Sequence, residues 1–239
     1  MDAPGDVSIS EAQPDRPQTR YPLDWWAGLL FALGSLLFVL ASAASLSPGL
    51  AKLCSLDTGR INATFFAGSI PFTTAAYLLV FQAANSHRDG EDSPDGKQTR
   101  RLIGWRPHDL VWLGCFLQFV GTILFNFNTF DAMLSSLAWV EQDLLIWAPG
   151  FVGSVLFLAS GSLAFRGTCG GRWAWNPTSR AWWIDFVNLF GCAGFMVSAV
   201  LTIVLPGAPN LEAVDLSLVF TLFGASAFLL GSLLMLRRS

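Results

Sequence analysis

An all-α membrane protein of six transmembrane helices, arranged as three helical hairpins with both termini cytoplasmic, is the fold this sequence predicts. Three observations carry that expectation. The 239 residues are 53% apolar and only 13% charged, whereas soluble domains carry about 25% charged residues. Six long stretches are almost free of ionisable side chains. Lys and Arg are confined almost entirely to alternate loops. A soluble fold of this length has too little interior to hide so much apolar surface.

Taken in order, residues 1–21 are rich in Asp, Pro, Ser and Gln and are read as a disordered cytoplasmic tail rather than a signal peptide. The apolar stretches then cover residues 25–46, 63–84, 110–129, 144–165, 182–205 and 216–236. Each is about 20 residues or longer, enough to cross the hydrocarbon core as a helix. None shows the in/out alternation of membrane strands. Asp185 is the one Asp, Glu, Lys or Arg inside them. The expected organisation is hairpin repeat 1 (22–85), a cytoplasmic linker (86–107), hairpin repeat 2 (108–166) and hairpin repeat 3 (167–239). The segment 130–143 has apolar residues at helical spacing and is expected to lie on the outer surface or to extend the fourth span.

Orientation follows from charge. Twelve of the 14 Lys and Arg fall in the tail, the loops after spans 2 and 4, and the C-terminus. Only Lys52 and Arg60 fall on the other side. Positive charge stays cytoplasmic during insertion, which places the chain in the plasma membrane with both ends inside. Eight of the ten Trp lie near the cytoplasmic ends, at the headgroup level that indole prefers. Arg172, Trp173 and Trp175 interleave charge with aromatic rings, a pattern suited to anionic lipid headgroups.

An internal repeat is visible on self-comparison. Each span contains Gly, a small residue, two further residues and Phe. These are Gly34-Ser35…Phe38, Gly68-Ser69…Phe72, Gly121-Thr122…Phe125, Gly153-Ser154…Phe157, Gly191-Cys192…Phe195 and Gly224-Ala225…Phe228. Seven residues after each Gly stands a small residue, except at Asn128. The glycines are 34, 32 and 33 residues apart within hairpins and 53 and 38 apart between them. Trp25, Trp112 and Trp182 stand nine residues before the odd-span glycines. Positions i, i+4 and i+7 share one helical face; small residues there let backbones approach and the Phe can fill the neighbouring groove, so a packing motif is expected.

The Trp…Gly-Ser-x-x-Phe hairpin, with a second glycine-centred span about 33 residues on, resembles the YrhK-like family of bacterial membrane proteins. The resemblance implies small two-helix modules, here triplicated over residues 22–238. It brings no activity and no catalytic residues.

The chemistry-bearing motifs are few. His87 and His108 are the only histidines, too few for a His-Glu-x-x-His zinc helix. No Gly-x-Ser-x-Gly elbow occurs, and Gly90 to Lys97 is read as a linker rather than a phosphate loop. Asn62-Ala63-Thr64 fits the glycosylation pattern. Cys54, Cys115, Cys169 and Cys192 are distributed so that no disulfide framework is expected. The net charge of −3 gives no nucleic-acid footprint. No catalytic, cofactor or metal residue is assigned.

Polar residues inside spans remain, and each is costly there unless paired. Gln118 and Asn188 stand three residues before the motif glycines of spans 3 and 5. Asp185 lies one turn from Asn188 on the same face. These three are expected to converge between spans 3 and 5, with Asn126 and Asn128 deeper toward the outer side. The leading expectation is a non-enzymatic binding, scaffolding or sensing role, with packing or a homo-oligomer built through the glycine faces. The alternatives are a small transporter or channel with a polar path at Asp185, Gln118 and Asn188, and a membrane-embedded enzyme.

Overall fold

Backbone amides in hydrocarbon have no water to bond, so an apolar stretch must satisfy its own hydrogen bonds, and a helix does so. The structure, a computed structural model, describes residues 23–86, 100–134, 139–170, 175–203 and 211–237. Among them all regular structure is helical. In chain order the helices are α1 (Leu23–Leu46), α2 (Pro48–Leu53), α3 (Thr58–Asn85), α4 (Leu110–Asp131), α5 (Trp139–Gln142), a π-helical turn (Asp143–Trp147), α6 (Ala148–Thr168), α7 (Arg180–Leu201) and α8 (Leu211–Leu236). Six spans are long and apolar enough to cross a membrane: α1, α3, α4, the composite helix Val140–Thr168, α7 and α8.

The helices run past the apolar stretches because caps, not hydropathy, fix their ends. Asp57 caps α3 by accepting from the Arg60 N–H at 2.8 Å, six residues before the apolar run begins. Asp109 caps α4 and Ser179 caps α7. Glu212 and Asp215 belong to α8. α7 stops at Leu201, short of the expected 205. Ser47, with Pro48 behind it, caps α2, a short helix that the apolar pattern did not announce. In the segment 130–143, residues from Trp139 onward extend the fourth span, while Met133 lies in a turn. Residues 135–138 lie outside the described set.

Each span packs on its neighbours in the chain, and α8 packs back on α1. The six therefore close a ring whose order is the order of the sequence. The ring brings the start of α1 beside the end of α8: a Cβ on Gly28 would lie 3.2 Å from the Met235 Cβ.

Within each hairpin the two motif glycines face one another. A Cβ on Gly68 would sit 3.1 Å from the Gly34 carbonyl oxygen, on Gly121 3.1 Å from that of Gly153, and on Gly191 3.1 Å from that of Gly224. The Phe of one helix lies over the Gly of the other: Phe38 over Gly68, Phe157 over Gly121, Phe125 over Gly153, Phe228 over Gly191 and Phe195 over Gly224. Apolar burial gives no drive for helix association in lipid, so this close van der Waals fit must supply it. The residue after each motif Gly is buried in every span. Several of these turn to the seam between hairpins: Thr129 on α4 donates to Ser69 at 3.2 Å, and Ser154 on α6 donates to the Phe195 carbonyl at 3.4 Å.

Replacing Gly121 with Leu forces a side chain against the Phe157 ring, 2.8 Å from where its Cβ must go. Overpacking of this kind costs ~1–3 kcal/mol. Thermal unfolding in detergent is expected to show that loss for Gly121→Leu. No such loss is expected for Gly167→Leu, since a Cβ at Gly167 meets nothing within 4 Å.

Candidate functional site

Antiparallel pairing about a central Gly–Gly contact has a simple consequence. The residue three before one Gly comes opposite the residue seven after the other. In the third hairpin this sets Ser198 against Thr221, their hydroxyls 2.7 Å apart, and Asn188 against Gly231, where a Cβ would lie 2.5 Å from the amide oxygen. In the second hairpin it sets Asn128 against Gly150, where a Cβ would lie 2.8 Å from the amide nitrogen. The corresponding positions of the first hairpin are Phe31, Phe65, Ala41 and Ala75, all apolar. Two of the three hairpins thus carry polar side chains on the layers above and below the glycines.

Those layers border two cavities, each lined by residues of all six spans. One, of about 400 Å³, lies at the end where α1 begins and α8 ends. Gln118 from α4 and Asp185 and Asn188 from α7 line it, with Asp24, Cys115, Ser160, Thr168 and Cys192. The Thr168 hydroxyl donates to the Asp185 carboxylate. Ser160 donates to the Gly114 carbonyl at 2.8 Å, tying α6 to α4 at the cavity wall. Among the described residues, none that line it is Lys, Arg or His.

The second cavity, about 270 Å³, lies at the far end. Its polar lining is uncharged and includes Asn62, Asn128, Ser154, Ser198, Thr202 and Thr221. Asn128 donates to the Ile146 carbonyl at 2.6 Å, inside the π-helical turn that opens the composite span. Its bulk fits because residue 150 is Gly. Asn62 donates to the Ala132 carbonyl at 2.7 Å, closing α3 on α4, so its amide nitrogen is already engaged where a glycan would attach.

Between the cavities lie the six motif phenylalanines. Odd and even spans run in opposite directions, so a Phe one turn after a central Gly points to opposite ends. Phe38, Phe125 and Phe195, from α1, α4 and α7, line the far cavity. Phe157 and Phe228, from α6 and α8, line the termini-side cavity. Phe72 of α3 stacks edge-on to Phe228 at 5.8 Å between centroids. Ring contacts at 4.9–6.5 Å join the two layers, in the edge-to-face and stacked range that aromatic pairs favour. A void of only about 10 Å³ remains among them, beside Ser69 and Thr122.

Of the residues singled out in the sequence, Gln118, Asp185 and Asn188 come together in one cavity, while Asn128 lies in the other. Asn126 bonds Thr73 across the α3–α4 seam at 2.9 Å. Asp24 was missed because it precedes the first apolar stretch. A second signal was also passed over. Trp105 and Trp175 stand seven residues before Trp112 and Trp182, each within Trp-x-Pro. Their rings meet at 5.3 and 4.9 Å, and Trp112 and Trp182 stack on Phe116 and Phe186 at 4.8 and 4.5 Å. His87, the stretch Gly90 to Lys97, Arg172, Trp173 and the tail 1–21 lie outside the described residues. Trp175 is described and exposed. In comparison with known proteins, no family model, no curated protein and no solved structure matches the chain.

Asn128→Ala removes the one side-chain donor seen on the Ile146 carbonyl. Interhelical hydrogen bonds in membranes are worth roughly 0.6–2 kcal/mol. A loss of about 1 kcal/mol is expected on reversible unfolding of the variant in bicelles or micelles.

Proposed function

We propose that this is a non-enzymatic multi-pass protein of the plasma membrane that binds a small cation within its termini-side cavity. The observation that carries it is the convergence of Asp185, Asn188, Gln118 and Asp24 on one cavity with no basic residue among the described residues of its lining. Acidic side chains that face a cavity between membrane helices suit an ion, and Asp185 and Asp24 both line this one. Amide oxygens on two of three sides supply further ligands of the kind hard cations take. The glycine faces are used inside the chain, one hairpin helix against the other. That favours an intramolecular binding site over a scaffold that joins copies through glycine.

The same proposal keeps both termini cytoplasmic, on the distribution of Lys and Arg. It keeps the triplicated YrhK-like hairpin, supported by the recurrence of the Gly–Phe contact in each pair of spans. Contact of the Arg172, Trp173 and Trp175 loop with anionic lipid is supported by the exposure of Trp175.

Native mass spectrometry of the protein released from nanodiscs tests the binding role. Wild type is expected to retain a small cationic species and Asp185→Asn to lose it at unchanged fold. A bare wild-type protein under conditions that keep annular lipid would sink the proposal.

A further inference from the structure

We infer that the six motif phenylalanines form a closed hydrophobic gate on a transmembrane path, so that the chain conducts small monovalent cations along the axis of its own helix ring.

The geometry is that of a path interrupted once. Both cavities are lined by residues of all six spans, so both lie on the ring axis rather than in grooves on its outside. They lie toward opposite ends and share no lining residue. What separates them is two three-phenylalanine layers. Phe38, Phe125 and Phe195 face the far cavity, and Phe157 and Phe228, with Phe72 beside them, face the termini-side cavity. The void left between them, about 10 Å³, is at the lower limit for one water. A constriction this narrow and lined mainly by aromatic rings excludes water, and an ion cannot cross it without shedding its hydration; membrane pores gate by this dewetting.

Each ring rests on a glycine of its partner helix and meets other rings of the septum, so opening requires the rings to turn together. Hydroxyls flank the septum from within: Ser69 and Thr122 border the central void. The cation preference rests on the binding reading above. Among the described residues the far cavity adds uncharged hydroxyl and amide groups, and Asp131, Glu141 and Asp143 stand on the helix ends at that side. On the same side Arg60 is paired with Asp57 at 3.7 Å.

The test is thallium influx into dye-loaded proteoliposomes holding the full chain. Phe125 and Phe157 stack at 4.9 Å, one in each layer. Phe125→Ser with Phe157→Ser opens both layers at once. Influx is expected to rise at least about tenfold over wild type, equivalent to a barrier lower by about 1.4 kcal/mol. Adding Asp185→Asn to the opened protein is expected to cut that influx severalfold. Should the double Ser variant fail to fold, Phe125→Leu with Phe157→Leu keeps an apolar side chain on each glycine, and a smaller but reproducible rise is expected. A folded double variant whose influx equals that of empty vesicles overturns the gate. The two proposals fail separately. A wild type that retains a cation beside folded but silent gate variants leaves the cavity a dead-end site. An opened variant that conducts, with no cation retained by wild type, leaves a gated path without a resident ligand.

Discussion

The close approach of paired glycine backbones at mid-span is the constraint on which the rest of this structure depends. In lipid a leucine gains little by touching another leucine rather than an acyl chain, so helices associate only where shape lets many atoms meet. Three glycine pairs provide that shape, and each leaves a hollow that the opposite helix fills with a phenyl ring. The choice of Gly thus decides where Phe can stand, and the positions of the six Phe decide that the centre of the ring is apolar and nearly void-free.

The polar layers follow from the same register. Once glycine meets glycine, the residues three before and seven after are opposed, and the chain has placed a small partner against each large polar one. Gly150 accommodates Asn128 and Gly231 accommodates Asn188. The first hairpin uses Phe and Ala at the same positions. At these two layers the cavities are therefore polar on two sides and apolar on the third, which gives each an orientation that three identical hairpins would lack.

The spans were legible from composition because hydrocarbon admits so few backbone solutions. The glycine motif was legible because it recurs in all six. Asn128, the single exception to the small residue at position seven, read as a polar residue inside a span with no partner that the sequence could name. It became interpretable once the π-helical turn opposite it was visible, with the Ile146 carbonyl in reach of its amide. No hydropathy pattern signals such a turn. The convergence of Gln118 with Asp185 and Asn188 was legible from their shared offset, but Asp24 was not, because only ring closure carries α1 to the same cavity. The doubled Trp-x-Pro that seats Trp105 and Trp175 on their stacked rings was present in the sequence. It escaped because it lies in loops, outside the spans in which the repeat was sought.

Closure of the ring in chain order bears on how the protein is made. Five of the six interfaces join spans that leave the ribosome consecutively, so each can form as soon as its second helix is inserted. The sixth joins α1 to α8. At the usual pace of roughly 5–20 residues per second, α1 waits on the order of tens of seconds for that partner. Throughout the wait its glycine-bearing flank at Gly28, and the mouth at Asp24, face the bilayer or an insertion factor. Quality control of this protein is thereby concentrated on one late event, the docking of the last helix on the first.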